Sequence, residues 1–137
     1  MFYYAKIKKE DDVYIVTFPD IPNINTFGDS LEEALKNAED ALNGSLESDF
    51  ERGYKFIKPK NFKGEEYHKI FLYPHIVVSY NLRQIRAGRS QIDIAKKLGI
   101  SYQAYQKLEN PRKCNPTVKT LEKIAKIFDK ELELVFK

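Results

Sequence analysis

Between residues 75 and 128, apolar residues recur every three to four positions with polar residues between them, which predicts a run of amphipathic helices. The clearest part is the segment 91–110. Ser90 begins a capping box, with an acidic residue three positions later, at the start of one helix. Gly99 follows the end of that helical repeat, where a left-handed backbone commonly stops a helix. Because Ser101 can cap the next helix, the segment is predicted to form a helix, a tight turn and a second helix.

The two faces of this second helix differ in chemistry. Tyr105 and Leu108 continue the apolar stripe and are expected to face a core. The opposite face carries amides and a lysine, which are groups that hydrogen-bond to base edges in a DNA major groove. The candidate DNA contacts on this helix are Ser101, Tyr102, Gln103, Gln106 and Lys107.

The first half of the chain shows short alternating runs in place of the helical repeat. Residues 2–8 and 13–18 are rich in aromatic and β-branched residues, and an acidic turn separates them, so we expect a hairpin. A bend with two prolines follows, and residues 24–27 form a third short run. The pattern predicts an antiparallel meander of three strands.

One long helix is predicted after this meander. Ser30 and Glu33 form a second capping box, and Gly53 is positioned to end the helix. The apolar stripe of the helix is expected to cover one face of the sheet, which gives an α+β domain. The stripe comprises Leu31, Leu35, Ala38, Leu42, Leu46 and Phe50. Residues 53–66 mix lysine, proline and glycine, so they are predicted to be an irregular crossing.

The end of the chain combines a helix with a short alternating run. The helix is predicted between about residues 117 and 128, with Val118, Leu121, Ile124, Ala125 and Phe128 inward. Residues 130–136 alternate well enough for a short terminal strand. An unpaired terminal strand offers a symmetric edge to a second copy, so we expect dimerisation near this end of the chain.

Charge divides the chain more sharply than its net value of +3 suggests. Residues 1–66 carry 9 Lys+Arg against 14 Asp+Glu, a net charge of −5, whereas residues 67–137 carry 14 against 6, a net charge of +8. The basic half therefore favours nucleic acid as a partner and the acidic half favours a basic partner. The candidate phosphate contacts in the basic half are Arg83, Arg86, Arg89, Arg112 and Lys113, with Gln91 at a helix N-terminus.

Catalytic and metal chemistry find little support in the sequence. His68 and His75 lack the spacing of metal ligands, and Cys114 has no adjacent histidine to activate it as a nucleophile. We therefore expect no enzymatic activity, no metal and no cofactor. A lone cysteine is typical of a reducing compartment, and the sequence shows neither a basic-then-apolar leader nor an apolar run of membrane length. We expect a cytoplasmic protein with no membrane partner.

Two stretches of the chain resemble known protein families. Residues 79–136 resemble the Cro/lambda-repressor type of helix-turn-helix domain. The matching residues are Leu82, Ser90-Gln91, Ala95, Leu98-Gly99-Ile100-Ser101, Leu108-Glu109 and Thr120-Leu121 with Ile124-Ala125. The first half resembles the HicB antitoxin fold, which is similar to a partial ribonuclease H fold. The matching residues are Tyr4-Ala5, Phe18-Pro19-Asp20-Ile21-Pro22, Thr26, Gly28 to Leu35 and Ala38.

These resemblances imply a fold and a function for each half. Residues 1–73 would be a toxin-binding domain in which residues 67–73 add a fourth strand to the sheet, and residues 75–137 would be an all-α domain for DNA binding and dimerisation. The chain would be the antitoxin of a HicBA-type pair. It would neutralise a small, basic, RNA-cleaving HicA-like toxin by direct binding and repress its own operon.

The implied partners are the toxin, double-stranded operator DNA and further copies of this chain, as a homodimer or a higher oligomer. An alternative stays open at this point. The chain would then be a stand-alone repressor whose first domain senses a ligand or only assembles oligomers.

Overall fold

The order of elements along the chain changes at Pro74. In the computed structural model, which describes residues 1–137, Met1–Pro74 forms one unit and His75–Lys137 a second. The first unit contains β1 (Phe2–Glu10), β2 (Val13–Thr17), β3 (Asn25–Gly28), α1 (Leu31–Glu51) and β4 (Tyr67–Phe71). The helices that follow are α2 (Pro74–Arg86), α3 (Gln91–Leu98), α4 (Tyr102–Leu108) and α5 (Val118–Ile127). This is the α+β arrangement followed by helices that the sequence pattern indicates.

The four strands form one antiparallel sheet in the order β3-β2-β1-β4. The turn between β1 and β2 places Asp11 in a left-handed conformation with φ of 55°. Alternate residues of the strands, including Tyr3, Ala5, Val16 and Ile70, are buried, and α1 contributes its own buried stripe to the same core. The long helix therefore covers one face of the sheet, and the residues between the buried ones belong to the other face.

The buried stripe of α1 differs from the predicted one at its start. Ser30 caps the helix as expected, its Oγ accepting from the Glu33 backbone N–H at 3.1 Å. Ala34 is fully buried, whereas Leu31 is 40% exposed and Leu35 is half-buried. The reason is steric, because a Cβ on Gly28 at the end of β3 would lie 2.3 Å from the Ala34 backbone nitrogen. At such a close approach only a small residue fits between the helix and the strand.

Asn43, in the middle of α1, is a buried polar residue that the apolar pattern did not mark. Its Nδ2 donates to the carbonyl oxygens of Glu39 at 2.9 Å and of Phe71 at 3.1 Å. Its Oδ1 accepts from the Tyr73 backbone N–H at 2.7 Å. A buried amide is stabilising only when its groups are paired. Asn43 therefore joins the helix to the chain just where β4 stops pairing with β1.

The second unit begins and ends its short helices as the sequence predicts. The Oγ atoms of Ser90 and Ser101 accept from backbone N–H groups at 3.0 Å at the starts of α3 and α4. Gly99 adopts φ of 71° and ψ of 29° and ends α3. The shared core contains Leu82, Ile94, Ala95, Tyr105, Leu108, Ile124 and Phe128. Burial of these side chains holds α2, α3, α4 and α5 together.

A buried carboxylate lies where α4 ends. The Glu109 side chain is 2% exposed and accepts two hydrogen bonds from the Arg86 guanidinium, from Nε at 2.5 Å and from Nη2 at 2.9 Å. Gln91 Nε2 donates to the same carboxylate at 3.2 Å. Burial by itself would raise the pKa of Glu109, but the hydrogen bonds and the positive charge of Arg86, together with the hydrogen bond from Gln91, hold that pKa below its usual value. The carboxylate is therefore charged in the folded protein at neutral pH.

The predicted terminal strand does not form in the single chain. Residues 131–137 are exposed and belong to no sheet, because a strand needs a partner ladder and the fold offers none here. Helix α5 ends before them at Ile127, and Asp129, two residues later, takes a left-handed φ of 53°. The Lys130 N–H then donates to the Ala125 carbonyl at 2.8 Å. Val118, expected inward, is exposed in the first turn of α5.

We expect Gly28→Ala to destabilise the first unit by about 1–3 kcal/mol, because the added methyl group would force α1 away from β3. Gly44→Ala is the matched control. A Cβ at Gly44 meets nothing within 4 Å, so there the same change should stabilise α1 by about 0.5–1 kcal/mol. Urea unfolding, monitored by amide hydrogen exchange in α1, measures the change in stability for both variants. Equal effects of the two substitutions would contradict the close approach at Gly28.

We expect Glu109→Gln to lower the free energy of opening of the second unit by about 1.5–3 kcal/mol at pH 7. Because folding lowers the pKa of Glu109 below its unfolded value of about 4.3, this stabilisation is present above that pH and lost as the pH falls through the folded pKa. The difference between the two proteins should therefore shrink in acid.

Amide hydrogen exchange of α4 measures this opening. The control is Glu122→Gln, which breaks an exposed 3.2 Å pair with Lys126 and should cost no more than about 0.5 kcal/mol. A pH-independent difference for Glu109→Gln would show that the carboxylate is not held charged by its partners.

Candidate nucleic-acid interface

Helix α4 displays the polar side chains that the sequence analysis assigned to DNA. Tyr105 and Leu108 are buried and fix the inner face of the helix. Gln103, Gln106 and Lys107 are exposed on the other side. A short helix that is anchored on one face and presents amides and a lysine on the other has the geometry of a helix that enters a major groove.

Ser101 and Tyr102, at the start of α4, have partly structural roles. The Ser101 hydroxyl caps the helix by accepting from the Ala104 N–H, and its side chain is exposed. Tyr102 is 38% exposed, and its hydroxyl donates to Gln91 Oε1 at 3.4 Å. The structure therefore brings Tyr102 and Gln91 together at one edge of α4.

Arg83 and Gln91 line a cleft with Tyr102 and Glu109. The Arg83 Nη2 donates to the Glu109 backbone carbonyl at 3.0 Å, and its Nε lies 3.9 Å from the carboxylate. Burial lowers the pKa of Arg83, but its guanidinium stays charged at neutral pH. The side chains of Arg83 and Gln91 are thus held against the C-terminal end of α4. The half-buried Arg83 guanidinium still lines the cleft.

Arg112 and Lys113 are exposed in a tight turn directly after α4. The Asn110 Oδ1 accepts from the Arg112 backbone N–H at 2.9 Å, and the Asn110 carbonyl accepts from the N–H groups of Lys113 and Cys114 at 3.1 and 2.8 Å. The turn is therefore well braced, and it carries two exposed cations directly after the C-terminal end of α4. Cations beside a groove-reading helix are suited to phosphate contact.

Arg86 and Glu109 organise this surface. The sequence analysis expected Arg86 to contact phosphate, but its guanidinium is engaged by the Glu109 carboxylate. Glu109 had no predicted site role. The available signal was a glutamate directly after an apolar helix end, in a half of the chain with a net charge of +8. The burial of Glu109 depends on Arg86, which lies 23 residues away in the sequence, so no local pattern reveals it. The hydrogen bonds to Glu109 raise the pKa of Arg86. Burial lowers that pKa by a smaller amount, and the negative charge of the Glu109 carboxylate raises it further.

The side chains considered for other chemistry are placed as follows. Cys114 is buried, and burial raises the pKa of its thiol to about 11, so it is protonated and unreactive at neutral pH. No group of three or more His, Cys, Asp and Glu side chains is arranged to hold a metal ion. The helices of the chain all lack the length or the apolar character needed to cross a membrane.

The outer surface of α1 in the first unit is strongly acidic. The helix carries one lysine, Lys36, among seven carboxylates. Several of the carboxylates are engaged within the unit, as when Asp40 accepts from the Tyr73 hydroxyl at 3.2 Å and Asp49 pairs with Arg52 at 2.9 Å. Glu32, Glu33 and Glu39 are exposed. The helix thus presents a negative surface, of the kind that attracts basic molecules.

Comparison with known proteins assigns a family to each unit. Residues 2–70 match the model of the HicB-like antitoxin of bacterial toxin–antitoxin systems. Residues 80–135 match a helix-turn-helix family model. The two matches together cover most of the chain and fall on either side of Pro74.

Individual relatives match this chain across both units. The chain is 31% identical to antitoxin HicB 1 of Photorhabdus laumondii over 125 residues, which is 91% of this chain and 79% of the relative. It is 29% identical to antitoxin HicB 2 of the same organism over 137 residues, covering 98% of this chain and 96% of the relative. Among solved structures, the Burkholderia pseudomallei antitoxin HicB matches 77% of this chain and 90% of its own, with 20% identity and a TM-score of 0.47. The chain belongs to the HicB-like antitoxin family and carries a helix-turn-helix DNA-binding domain.

Proposed function

We propose that this protein neutralises a small, basic, RNA-cleaving HicA-like toxin through residues 1–73 and represses its own operon through residues 75–137. The observation that carries this proposal is the opposite chemistry of two exposed helices. Helix α1 presents carboxylates in the first unit, whereas α4 presents amides and a lysine in the second. A basic protein and a DNA duplex are the partners complementary to these two surfaces.

The DNA contacts in this proposal follow from the exposed side chains. Gln103, Gln106 and Lys107 read base edges, while Tyr102 and Ser101 lie at the groove edge. The cations of Arg83, Arg112 and Lys113 bind phosphates together with Gln91 at the start of α3. Phosphate contacts of this kind release counterions, so affinity for DNA decreases as salt increases.

The toxin contacts in this proposal lie on the acidic side of the first unit. The exposed carboxylates Glu32, Glu33 and Glu39 attract a basic protein and speed its association. Leu31, which is 40% exposed at the start of α1, adds apolar area for a stable contact. The match of residues 2–70 to an antitoxin family supports this reading over a stand-alone repressor with a ligand-sensing domain. We propose that the protein acts in the cytoplasm and has no enzymatic activity.

The exposed terminal segment supports a homodimer in this proposal. Leu132, Leu134, Val135 and Phe136 are all exposed in the single chain. An exposed apolar segment with unpaired backbone groups gains both apolar burial and a hydrogen-bond ladder by pairing with its copy. A dimer also places two recognition helices on a palindromic operator, where a single small domain binds weakly.

We expect Lys107→Glu to weaken binding to DNA from upstream of its own operon by on the order of 100-fold, because a carboxylate would replace a cation inside the electronegative groove of the DNA. Growth rescue in cells that express the toxin should persist, because the first unit is unchanged. A gel shift and a rescue assay on the same variant measure the two activities. Lys123→Glu makes the same change of charge on the exposed side of α5 and serves as the control. Loss of rescue by a folded Lys107→Glu protein would contradict the division of labour.

We expect removal of residues 131–137 to shift the protein from dimer to monomer and to weaken binding to the palindromic site. The deletion keeps Lys130, whose N–H bonds to Ala125 and closes α5, so the helical content should be unchanged. Sedimentation equilibrium measures the mass, and circular dichroism checks the fold. A truncated protein that stays dimeric would show that the terminal segment is not the dimer contact.

A further inference from the structure

The first unit has a second surface, on the side of the sheet away from α1. Because residues alternate along each strand, the neighbours of the buried Tyr3, Ala5 and Val16 belong to this side. We call it the open face. Its strand positions are Phe2, Tyr4, Lys6, Lys8 and Glu10 of β1, Val13, Ile15 and Thr17 of β2, Asn25 and Phe27 of β3, and Tyr67, Lys69 and Phe71 of β4.

Aromatic rings form a continuous cluster at the β1–β4 side of the open face. The Phe2 ring lies 5.5 Å from the Tyr4 ring and 5.4 Å from the Phe71 ring, between centroids. Phe62, from the crossing before β4, stacks on Tyr67 at 5.2 Å and meets Tyr4 at 6.2 Å. Phe71 is nevertheless 57% exposed. Rings held in fixed positions with an open surface are platforms for stacking.

Lysines lie between these rings. Lys69 Nζ is 4.9 Å from the Phe2 ring centroid, and Lys6 Nζ is 6.0 Å from that of Tyr67. Lys8 continues the row along β1, opposite Ile15. Glu10, at the far end next to the turn, is the only acidic residue among the strand positions of the open face. The open face is therefore both aromatic and positive, although residues 1–74 carry 14 Asp+Glu against 10 Lys+Arg, a net charge of −4.

We propose that the open face binds single-stranded RNA. Unstacked bases lie flat on exposed rings, and the lysines between the rings neutralise phosphates. A duplex offers no free base faces, so this surface selects single strands. The hydroxyl groups of Thr17 and Tyr67 on the same face are partners for the ribose 2′-hydroxyl, which favours RNA over DNA.

Charge argues against the other occupants of the open face. A small basic toxin would meet Lys6, Lys8 and Lys69, whereas α1 offers it carboxylates. A second copy placed symmetrically on the open face would bring three further lysines against the first three. Only a polyanion that also carries aromatic groups complements both features. The inference stands apart from the proposed toxin and operator binding, because it uses neither α1 nor α4.

The test is fluorescence anisotropy of the full-length protein with a labelled oligouridine of about 12 nucleotides. We expect saturable binding that weakens with salt, with a log–log slope contribution of about −2 from three lysines. Phe71→Ala should weaken binding about tenfold through lost stacking. Lys69→Gln should weaken binding and reduce the slope by about 0.7. Oligodeoxyuridine of the same length should bind more weakly.

Matched variants away from the open face provide the controls. Tyr54→Ala removes an aromatic ring that is 62% exposed after α1, and Lys36→Gln removes a lysine on α1, so both should bind the oligouridine as the unaltered protein does. Phe71→Ala and Lys69→Gln should bind duplex operator DNA normally, which separates this result from any failure of the helix-turn-helix.

Three outcomes would overturn the proposal. They are oligouridine binding that the open-face variants leave unchanged, equal binding of the deoxy strand, and a change in oligomeric state or loss of toxin binding caused by Phe71→Ala in place of weaker RNA binding.

Discussion

The geometry of the helix-turn-helix depends on one buried charge. Glu109 stands at the end of α4, and its partners come from α2 through Arg86 and Arg83 and from α3 through Gln91. Removing a carboxylate from water is costly, and the two-point hydrogen bond from Arg86 offsets that cost only in one arrangement of the helices. The apolar core holds the helices together, but hydrophobic burial has no direction. The Arg86–Glu109 pair therefore determines the orientation of α4 and of its exposed side chains.

The first unit separates two chemistries by covering only one side of its sheet. Helix α1 is held closely at two points, near its start where Ala34 meets Gly28 and in its middle where Asn43 bonds to the end of β4. The apolar stripe of α1 packs against the sheet, so the carboxylates of the helix face outward. The lysines and rings on the opposite side lie a full sheet thickness away from them. A small domain can in this way offer a negative and a positive surface without neutralising either.

Local signals predicted much of this structure, and long-range ones did not. Ser30, Ser90, Ser101 and Gly99 act through backbone groups within a few residues, so their roles were predicted from sequence and are confirmed. The exposed face of α4 followed from helical periodicity. The burial of Glu109 depends on Arg86, and the exposure of Leu31 depends on the approach of α1 to Gly28, neither of which periodicity contains. The prediction of a terminal strand was wrong for the single chain, because a strand needs a second strand to pair with.

The charged pair also restricts the paths by which this sequence can drift. Replacing Glu109 alone would leave the Arg86 guanidinium without its partner, and replacing Arg86 alone would leave a buried carboxylate unpaired. Either intermediate is less fit than both the original pair and a well-packed apolar pair of similar volume. The two positions are therefore strongly epistatic. Among descendants of this chain, they should be retained together or exchanged together, while the exposed residues of α4 remain free to diversify.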